Sequence, residues 1–544
     1  MSQKVLFTDD ALAAPPREPE PASRALPPRG ALLLLLLVGA LALLRLGAVP
    51  LLGPDEPRYA RVAVEMQRAG EWVSPTLQGT PWLEKPPLYY WLAGGAFRAL
   101  GETETAARLP AVLALLLLTG TTALVGARLY GAGAGLHAGF AVGTCLLAFA
   151  YGRAASMDML LAACVTAATG LVALRVLGIA GRAALPAAGV FVGLALLAKG
   201  PLGLLLPALA AGAFLLIARD RAAWDRLVRP AWMLALAIAL AALVALPWYL
   251  AACQAHGREF VDVFLLNHNL QRFTSTIHRH PGPVVYYVPV LLVGIFPWAG
   301  LVPAALGAVR PRVSRADLFV LCWLLLPFAF FSLAGSKLPG YILPCLPPLA
   351  IFVGRLADRW TRTGAGAGGR VGALLGLVLG ALVFASAFVL RAQGEPRWQL
   401  LIPLGAWSLI VAFLFSRTVG RDAVRALHLL RVGAAGTLLL VIQAAPPLLS
   451  ARESGRTLFL PANRQDVIAW GAWRTAWMAG YFYNDARVRQ VEDFASVHRA
   501  VEAGPTLVLA GPAERKRLEG VPSLRVTLLA QGPRQNVLLH VSRR

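Results

Sequence analysis

The sequence predicts a polytopic α-helical membrane protein with a small α/β domain at its C-terminal end. Three observations predict it. The chain has 544 residues, of which 57% are hydrophobic and 15% charged, far from the balance of a soluble globular protein. Apolar runs of about 18–22 residues, the length that crosses a bilayer core, recur thirteen times. From residue 450 the composition changes, and short strand-like and helical runs replace the long apolar ones.

Residues 1–29 are rich in Pro, Glu and Arg and read as a disordered cytoplasmic tail. The apolar runs follow at 31–50, 108–127, 133–151, 156–174, 184–199, 201–218, 231–251, 284–309, 316–335, 341–357, 371–391, 399–416 and 427–449. Together they make a transmembrane unit over 30–449. The fifth and sixth runs are parted only by the break at Lys199-Gly200-Pro201. A cleaved signal peptide does not fit the first run, because a long Pro-rich tail precedes it and many spans follow. A net charge of +23 invites a nucleic-acid reading, but the arginines collect in every second loop. Arg24 and Arg29, Arg128, Arg175 and Arg182, the group Arg219 to Arg229, the group Arg310 to Arg315, the group Arg355 to Arg370 and the group Arg417 to Arg431 are the seven segments. The positive-inside rule makes these cytoplasmic. The N-terminus is then inside and the C-terminal domain, 450–544, outside.

Two external loops are long, 51–107 and 252–283. In the first, Tyr59, Val62 and Met66 recur at helical spacing between Asp55 and Arg68, which predicts an amphipathic helix lying in the membrane interface. Leu88 to Leu100 predicts a second helix, with Tyr89, Tyr90 and Trp91 placed for the headgroup level. In the C-terminal domain, strands are predicted at 506–510 and 536–540 and a helix at 491–503. The five cysteines lie in or beside spans without a CxxC pair, which predicts neither a disulfide framework nor a zinc cluster. There is no phosphate-binding loop, no GxGxxG after a strand and no HExxH, so nothing points to ATP as an energy source.

The candidate chemistry sits on one side. By the topology above, Asp55, Glu56, Arg58, Tyr59, Glu84, Lys85, Asp158, Lys199, Asn267, His268, Arg272, Lys337 and Tyr341 all face outward. Sequence-distant polar groups on one face are what an active site requires. The chain has five lysines against 46 arginines, and three of the five, Lys85, Lys199 and Lys337, stand at external boundaries. A compact ammonium there suits a phosphate.

Each candidate also has a plainer reading. Asp55 follows Gly-Pro and precedes a helix, so it is a candidate N-cap as well as a carboxylate that positions or deprotonates an acceptor. Arg58 falls on the same helical face and suits a phosphate. Glu84-Lys85-Pro86-Pro87 reads as extended, with Glu84 toward a metal and Lys85 toward a phosphate, or as a solvated loop pair. Asp158 suits a helix N-terminus by charge alone. Lys199 suits snorkelling. His268 and Glu84 suit zinc together, although a loop histidine is commonly just polar. Lys337 and Tyr341 either converge on a phosphate or stabilise a tight turn.

Four stretches then carry a resemblance: Pro54-Asp55-Glu56-Pro57-Arg58-Tyr59-Ala60, Trp82-Leu83-Glu84-Lys85-Pro86-Pro87-Leu88, His268-Asn269-Leu270-Gln271-Arg272-Phe273 and Ser336-Lys337-Leu338-Pro339-Gly340-Tyr341. In order and spacing the membrane region resembles the bacterial GT-C glycosyltransferases. The nearest group is the 4-amino-4-deoxy-L-arabinose lipid A transferases, relatives of the protein O-mannosyltransferases. The resemblance implies thirteen spans, a small periplasmic C-terminal domain and the bacterial inner membrane. It implies transfer of a sugar from undecaprenyl phosphate to a periplasmic acceptor such as a lipid A phosphate, with inversion, by a monomer. Other members move other polyprenyl-phosphate-linked sugars to proteins or glycolipids. The resemblance matches Asp55 and Asp158 to catalytic acids, and Arg58, Lys85, Arg272 and Tyr341 to the donor phosphate. Lys337 and Lys199 join that phosphate group on their placement. Glu56, Tyr59 and Tyr89 are placed in the substrate cavity. Glu84 and His268 match a divalent metal site, zinc or similar. The rival class is a flippase for a polyprenyl-linked sugar, which calls for ionisable groups near mid-membrane on broken helices in repeated halves.

Overall fold

The computed structural model describes residues 24–264, 282–309 and 313–544. The predicted runs fall on helices. Among the described residues eight helices are long and apolar enough to cross a membrane, and nine if the pair Val284–Gly294 and Trp298–Gly307, bent by 111°, is one span. Pro28–Leu43, Ala184–Lys199 and Leu202–Ala218 are apolar but shorter. The run at 133–151 is not continuous, because it breaks at Cys145.

Up to residue 260 the order is α1 (Pro28–Leu43), α2 (Asp55–Ala69), α3 (Leu88–Leu100), α4 (Glu104–Tyr130), α5 (Ala132–Thr144), α6 (Leu146–Tyr151), α7 (Asp158–Val176), α8 (Ala184–Lys199), α9 (Leu202–Ala218), α10 (Arg221–Val228) and α11 (Ala231–Phe260). Small residues let the helices approach closely. A Cβ on Gly135 of α5 would lie 2.3 Å from the Ala123 carbonyl of α4, and one on Gly189 of α8 would lie 2.1 Å from the Ala237 carbonyl of α11. Outward leucines such as Leu33, Leu216 and Leu243 are exposed, as lipid contact requires.

The first external loop is more deeply packed than its amphipathic pattern suggests. Helix α2 buries Tyr59, Val62 and Met66 as predicted, but also Glu56, Arg58 and Val64. It ends at Gly70, whose φ of 66° closes the last turn through its N–H to the Met66 carbonyl. Tyr89 and Tyr90 are fully buried rather than at a headgroup surface. They pack edge-on to each other with ring centroids 5.8 Å apart, and each lies within 6.5 Å of Tyr59. Mutual stacking keeps these rings inside.

After the last long helix, Ala423–Glu453, comes a mixed five-stranded sheet. Its strands are β3 (Val467–Trp470), β4 (Val488–Val491), β5 (Thr506–Ala510), β6 (Leu524–Gln531) and β7 (Val537–Arg543), after a two-residue ribbon, β1 (Thr76–Leu77) and β2 (Thr80–Pro81), in the first loop. The sheet order is β4-β3-β5-β7-β6. Strands β4, β3 and β5 run parallel, and β7 runs antiparallel to β5 and β6. The helix Phe494–Ala503, capped by Asp493 through the Ser496 N–H, buries Val497 and Val501 with Ile468, Val508 and Leu539.

This domain is fastened to the first loop. The Tyr483 hydroxyl accepts from Leu51 N at 2.6 Å and donates to Glu104 at 3.1 Å. Gly53 N donates to the Glu453 carbonyl at 3.0 Å. Asp485 accepts from Arg61 at 2.5 Å and Arg68 at 2.6 Å. Burial alone pushes the Asp485 carboxyl up, but the hydrogen bonds from Arg61 and Arg68 outweigh it and hold the carboxyl below its usual 3.8. A depressed carboxyl contributes stability that is present above the unfolded value and lost as pH falls through the folded one. Docking is expected to hold at neutral pH and loosen as pH falls below 3.8. Amide exchange at the Tyr483 turn against pH checks this, with Asp485→Asn loosened at neutral pH already.

Candidate active site

A cavity of 440 Å³ opens where α2, the turn after α6, the start of α7 and the end of α8 meet the helix Ala423–Glu453. Asp55, Glu56, Tyr59, Lys85, Asp158, Lys199 and Tyr341 line it, and Val441, Ile442, Ala445, Pro446 and Leu449 form an apolar wall. The structure thus brings seven of the sequence candidates to one wall, from five separate stretches of chain.

Asp55 is the first residue of α2, not its cap. The capping position is Pro54, and no side chain caps the helix. The Asp55 carboxylate, 53% exposed, accepts from Arg58 Nη2 at 2.5 Å. This is the i,i+3 pair that helical spacing allows. Arg58 is buried behind it, over the rings of Trp82 at 4.9 Å and Tyr59 at 5.2 Å. Its Nε has no hydrogen-bond partner among the described residues. Burial raises the Tyr59 hydroxyl above its usual range, and the Asp55 charge adds to this. Tyr59 is therefore a neutral donor at the wall.

Glu56 lines the cavity, but its oxygens are already committed. Oε1 accepts from Ala155 N at 2.6 Å and Arg108 Nε at 3.1 Å, and Oε2 accepts from Leu52 N and Arg108 Nη2, each at 2.6 Å. Arg108 also donates to the carbonyls of Leu46, Val49 and Pro50. Glu56 therefore joins α2, α4 and the turn before α7. Glu56 lies on the cavity as expected and also fastens the elements around it. Tyr89, expected in the cavity, is not on the wall. It sits behind Tyr59 with its hydroxyl on the Ala107 carbonyl at 2.9 Å.

Asp158 starts α7, where the helix dipole favours a negative charge, and it pairs with Lys199. Lys199 does not snorkel toward lipid. Its ammonium lies 4.5 Å from the Tyr341 ring, so α8 ends in an ion pair with a cation–π contact. Gly200, at φ 77°, turns the chain directly after it. Leu83 and Glu84 form a turn, not the extended segment expected from the prolines. Lys85 is buried on the wall, with Nζ 3.2 Å from the Glu84 carbonyl. Lys337 is off the wall. It is buried with Nζ donating to the Ala334 carbonyl at 2.6 Å, and the tight turn accounts for it. Arg272 and His268, with Asn267, lie outside the described residues. Among those described, no three His, Cys, Asp or Glu side chains cluster as a metal set.

Sequence reasoning missed four wall residues: Arg108, Tyr151, Arg153 and Ser156. A signal for the two arginines was present. By the predicted topology both fall on the external side, against the positive-inside rule. In a chain so rich in arginine they passed as ordinary boundary charges.

Residues 84–249 match the family model described as dolichyl-phosphate-mannose-protein mannosyltransferase. An undecaprenyl phosphate-alpha-4-amino-4-deoxy-L-arabinose arabinosyl transferase of Edwardsiella ictaluri is 34% identical over 335 residues, which is 60% of this chain and 59% of that protein. The enzyme of the same name from Pseudomonas aeruginosa strain UCBPP-PA14 is 35% identical over 397 residues, 69% of each chain. The crystal structure of ArnT from Cupriavidus metallidurans bound to undecaprenyl phosphate superposes with a TM-score of 0.78 at 23% identity, covering 94% of this chain and 98% of that one. That match speaks for the fold. The identity over two thirds of the Pseudomonas enzyme settles the family, and the chain belongs to the undecaprenyl phosphate-4-amino-4-deoxy-L-arabinose arabinosyl transferases.

Proposed function

We propose that the protein is an inverting glycosyltransferase that moves 4-amino-4-deoxy-L-arabinose from undecaprenyl phosphate to a lipid A phosphate. It works on the periplasmic side of the bacterial inner membrane, as a monomer of thirteen passes with its N-terminus in the cytoplasm and its C-terminal domain in the periplasm. The observation that carries this reading is the cavity itself. Three acids, two lysines, two arginines and three tyrosines share one wall with an apolar strip from the helix Ala423–Glu453. An apolar strip beside cations suits a polyprenyl phosphate, whose chain and charge need both.

In the reaction the bond between the anomeric carbon and the undecaprenyl phosphate oxygen breaks, and an acceptor oxygen bonds to that carbon from the opposite face. Negative charge grows on the leaving phosphate. Lys85 and Lys199 stand ready to stabilise it, with Arg58, Arg272 and Tyr341 proposed to complete the group. Asp55 positions the acceptor, and would take its proton if it carried one. An ionised phosphate acceptor needs little help of that kind. Asp158 holds Lys199 in place. A divalent ion at Glu84 and His268 belongs to the proposal as a structural or electrostatic partner, but no step is routed through it, since the described residues present no metal set.

The test is mass analysis of lipid A from cells with and without the protein, where a pentosamine-sized increment is the expected result. With purified protein, release of undecaprenyl phosphate from its sugar-linked form should require an acceptor. Sugar-lipid movement across vesicles with no turnover would instead favour the flippase. Lys85→Ala is expected to weaken undecaprenyl phosphate binding by about 10-fold or more, the range of a lost charged hydrogen bond. Unchanged affinity in a direct binding titration would remove Lys85 from the phosphate.

A further inference from the structure

The turn between α6 and α7 carries two groups that the donor-phosphate assignment leaves unused. Arg153 lines the cavity, and its Nη1 donates to the carbonyls of Leu41, Ala42 and Leu44 at 3.1, 2.5 and 2.9 Å. Leu41 and Ala42 end α1 and Leu44 caps it, so these carbonyls lack partners within the helix. They carry partial charge only, and among the described residues no carboxylate pairs with Arg153. Its nearest charged influence is another cation. Burial, with the Arg108 charge added, pulls the Arg153 guanidinium down to about 10, so the site holds uncompensated positive charge at neutral pH. Three residues on, Ser156 also lines the cavity, 9% exposed. Its hydroxyl has no hydrogen-bond partner among the described residues. A buried hydroxyl left unpaired is costly and calls for an explanation. Tyr151, at the other end of the turn, lines the same space.

The turn is also stitched to the catalytic loop. Ala155 N donates to Glu56, the neighbour of Asp55, so a group held by Arg153 and Ser156 is held in fixed register with the Asp55 carboxylate. Lys85 and Lys199 reach the same cavity from other elements.

We propose that Arg153 and Ser156 form a second anion subsite that takes a phosphate oxygen of the acceptor lipid, apart from the lysines that take the donor phosphate. The guanidinium supplies charge, the hydroxyl a directed donor, and the turn sets their spacing. The identity of the ligand as the acceptor rests on the transfer reading above; the anion subsite does not.

Two arms test it with purified full-length protein. In the first, steady-state kinetics are measured with a sugar-linked undecaprenyl phosphate donor and lipid A acceptor. Arg153→Gln is expected to raise the acceptor KM by about 10- to 100-fold, and Ser156→Ala by about 2- to 10-fold, the ranges for charged and neutral hydrogen bonds. The donor KM should stay within about twofold, because neither variant touches the lysine group. Ser156→Ala should melt where the parent melts, since no bond within the protein is lost. In the second arm, native mass spectrometry compares binding of phosphorylated and dephosphorylated lipid A without donor. The parent should prefer the phosphorylated form and Arg153→Gln should not. Arg153→Lys separates recognition from capping of α1. Lower melting with unchanged acceptor KM and phosphate preference would make Arg153 a cap and overturn the proposal. A weakened donor with an unaltered acceptor in both variants would also overturn it. Phosphate preference that depends on Arg153, in a protein with no turnover, would refute the transfer reading and leave the subsite standing.

Discussion

Asp55→Asn lowers the transfer rate by about 10²- to 10⁴-fold, the span ascribed to a positioned acid–base group, in a protein that still folds. The fold survives because the carboxylate is 53% exposed and its one ion pair is with Arg58 at 2.5 Å. Although Arg58 is buried, the Asp55 side of the pair opens to solvent, and an amide oxygen still accepts from the guanidinium. The kinetics also separate the two jobs open to Asp55. If it takes a proton, kcat falls and the acceptor KM holds. If it orients an already ionised phosphate, the acceptor KM changes with kcat. Stopped turnover assays at saturating donor distinguish them, and full activity in the variant would sink the assignment of Asp55 to the reaction.

Arg108→Gln has the largest expected effect on stability. It leaves the Glu56 carboxylate buried with only the N–H groups of Leu52 and Ala155, and frees the carbonyls of Leu46, Val49 and Pro50. Breaking one side of a buried pair costs about 3–5 kcal/mol, because a buried charge is left uncompensated. Thermal inactivation in detergent should shift sharply downward. Adding Glu56→Gln should restore part of the loss, since no charge then remains buried. A double variant worse than Arg108→Gln alone would show that Glu56 is held mainly by the backbone. Activity should fall along with stability, because Glu56 fixes the register of α2 against the turn that carries Arg153.

How much of this was legible in the residues depended on periodicity and rarity. Apolar length marked where the described membrane helices lie but not where they break, since 284–309 is a pair bent by 111° and 133–151 parts at Cys145, and helical spacing placed α2 and α3 within a residue or so. The scarcity of lysine marked Lys85 and Lys199, which do reach the cavity, but also Lys337, which is held in its turn. Strand β5 was legible as Thr506 and four apolar residues between Pro505 and Gly511. Strands β3, β4 and β6 were not, because β3 and β4 have four residues each and β6 is an edge strand with an interrupted pattern. The Glu56–Arg108 pair spans 52 positions, and no local signal joins residues that far apart. The same holds for the break at Cys145, since an apolar run looks continuous whether or not the helix is.

The bonds that fasten the mouth of the first span have a consequence for the order in which the enzyme is made. Leu51 meets the Tyr483 hydroxyl across 432 positions of chain, and Gly53 meets Glu453. At synthesis rates of about 5–20 residues per second, the Asp55 loop is made about 20–90 seconds before its last fasteners exist. Until then it lacks the Tyr483, Asp485 and Glu453 contacts. The Glu56–Arg108 and Asp158–Lys199 pairs need no residue beyond 199, so the loop is first set against α4 and only later closed by the final domain.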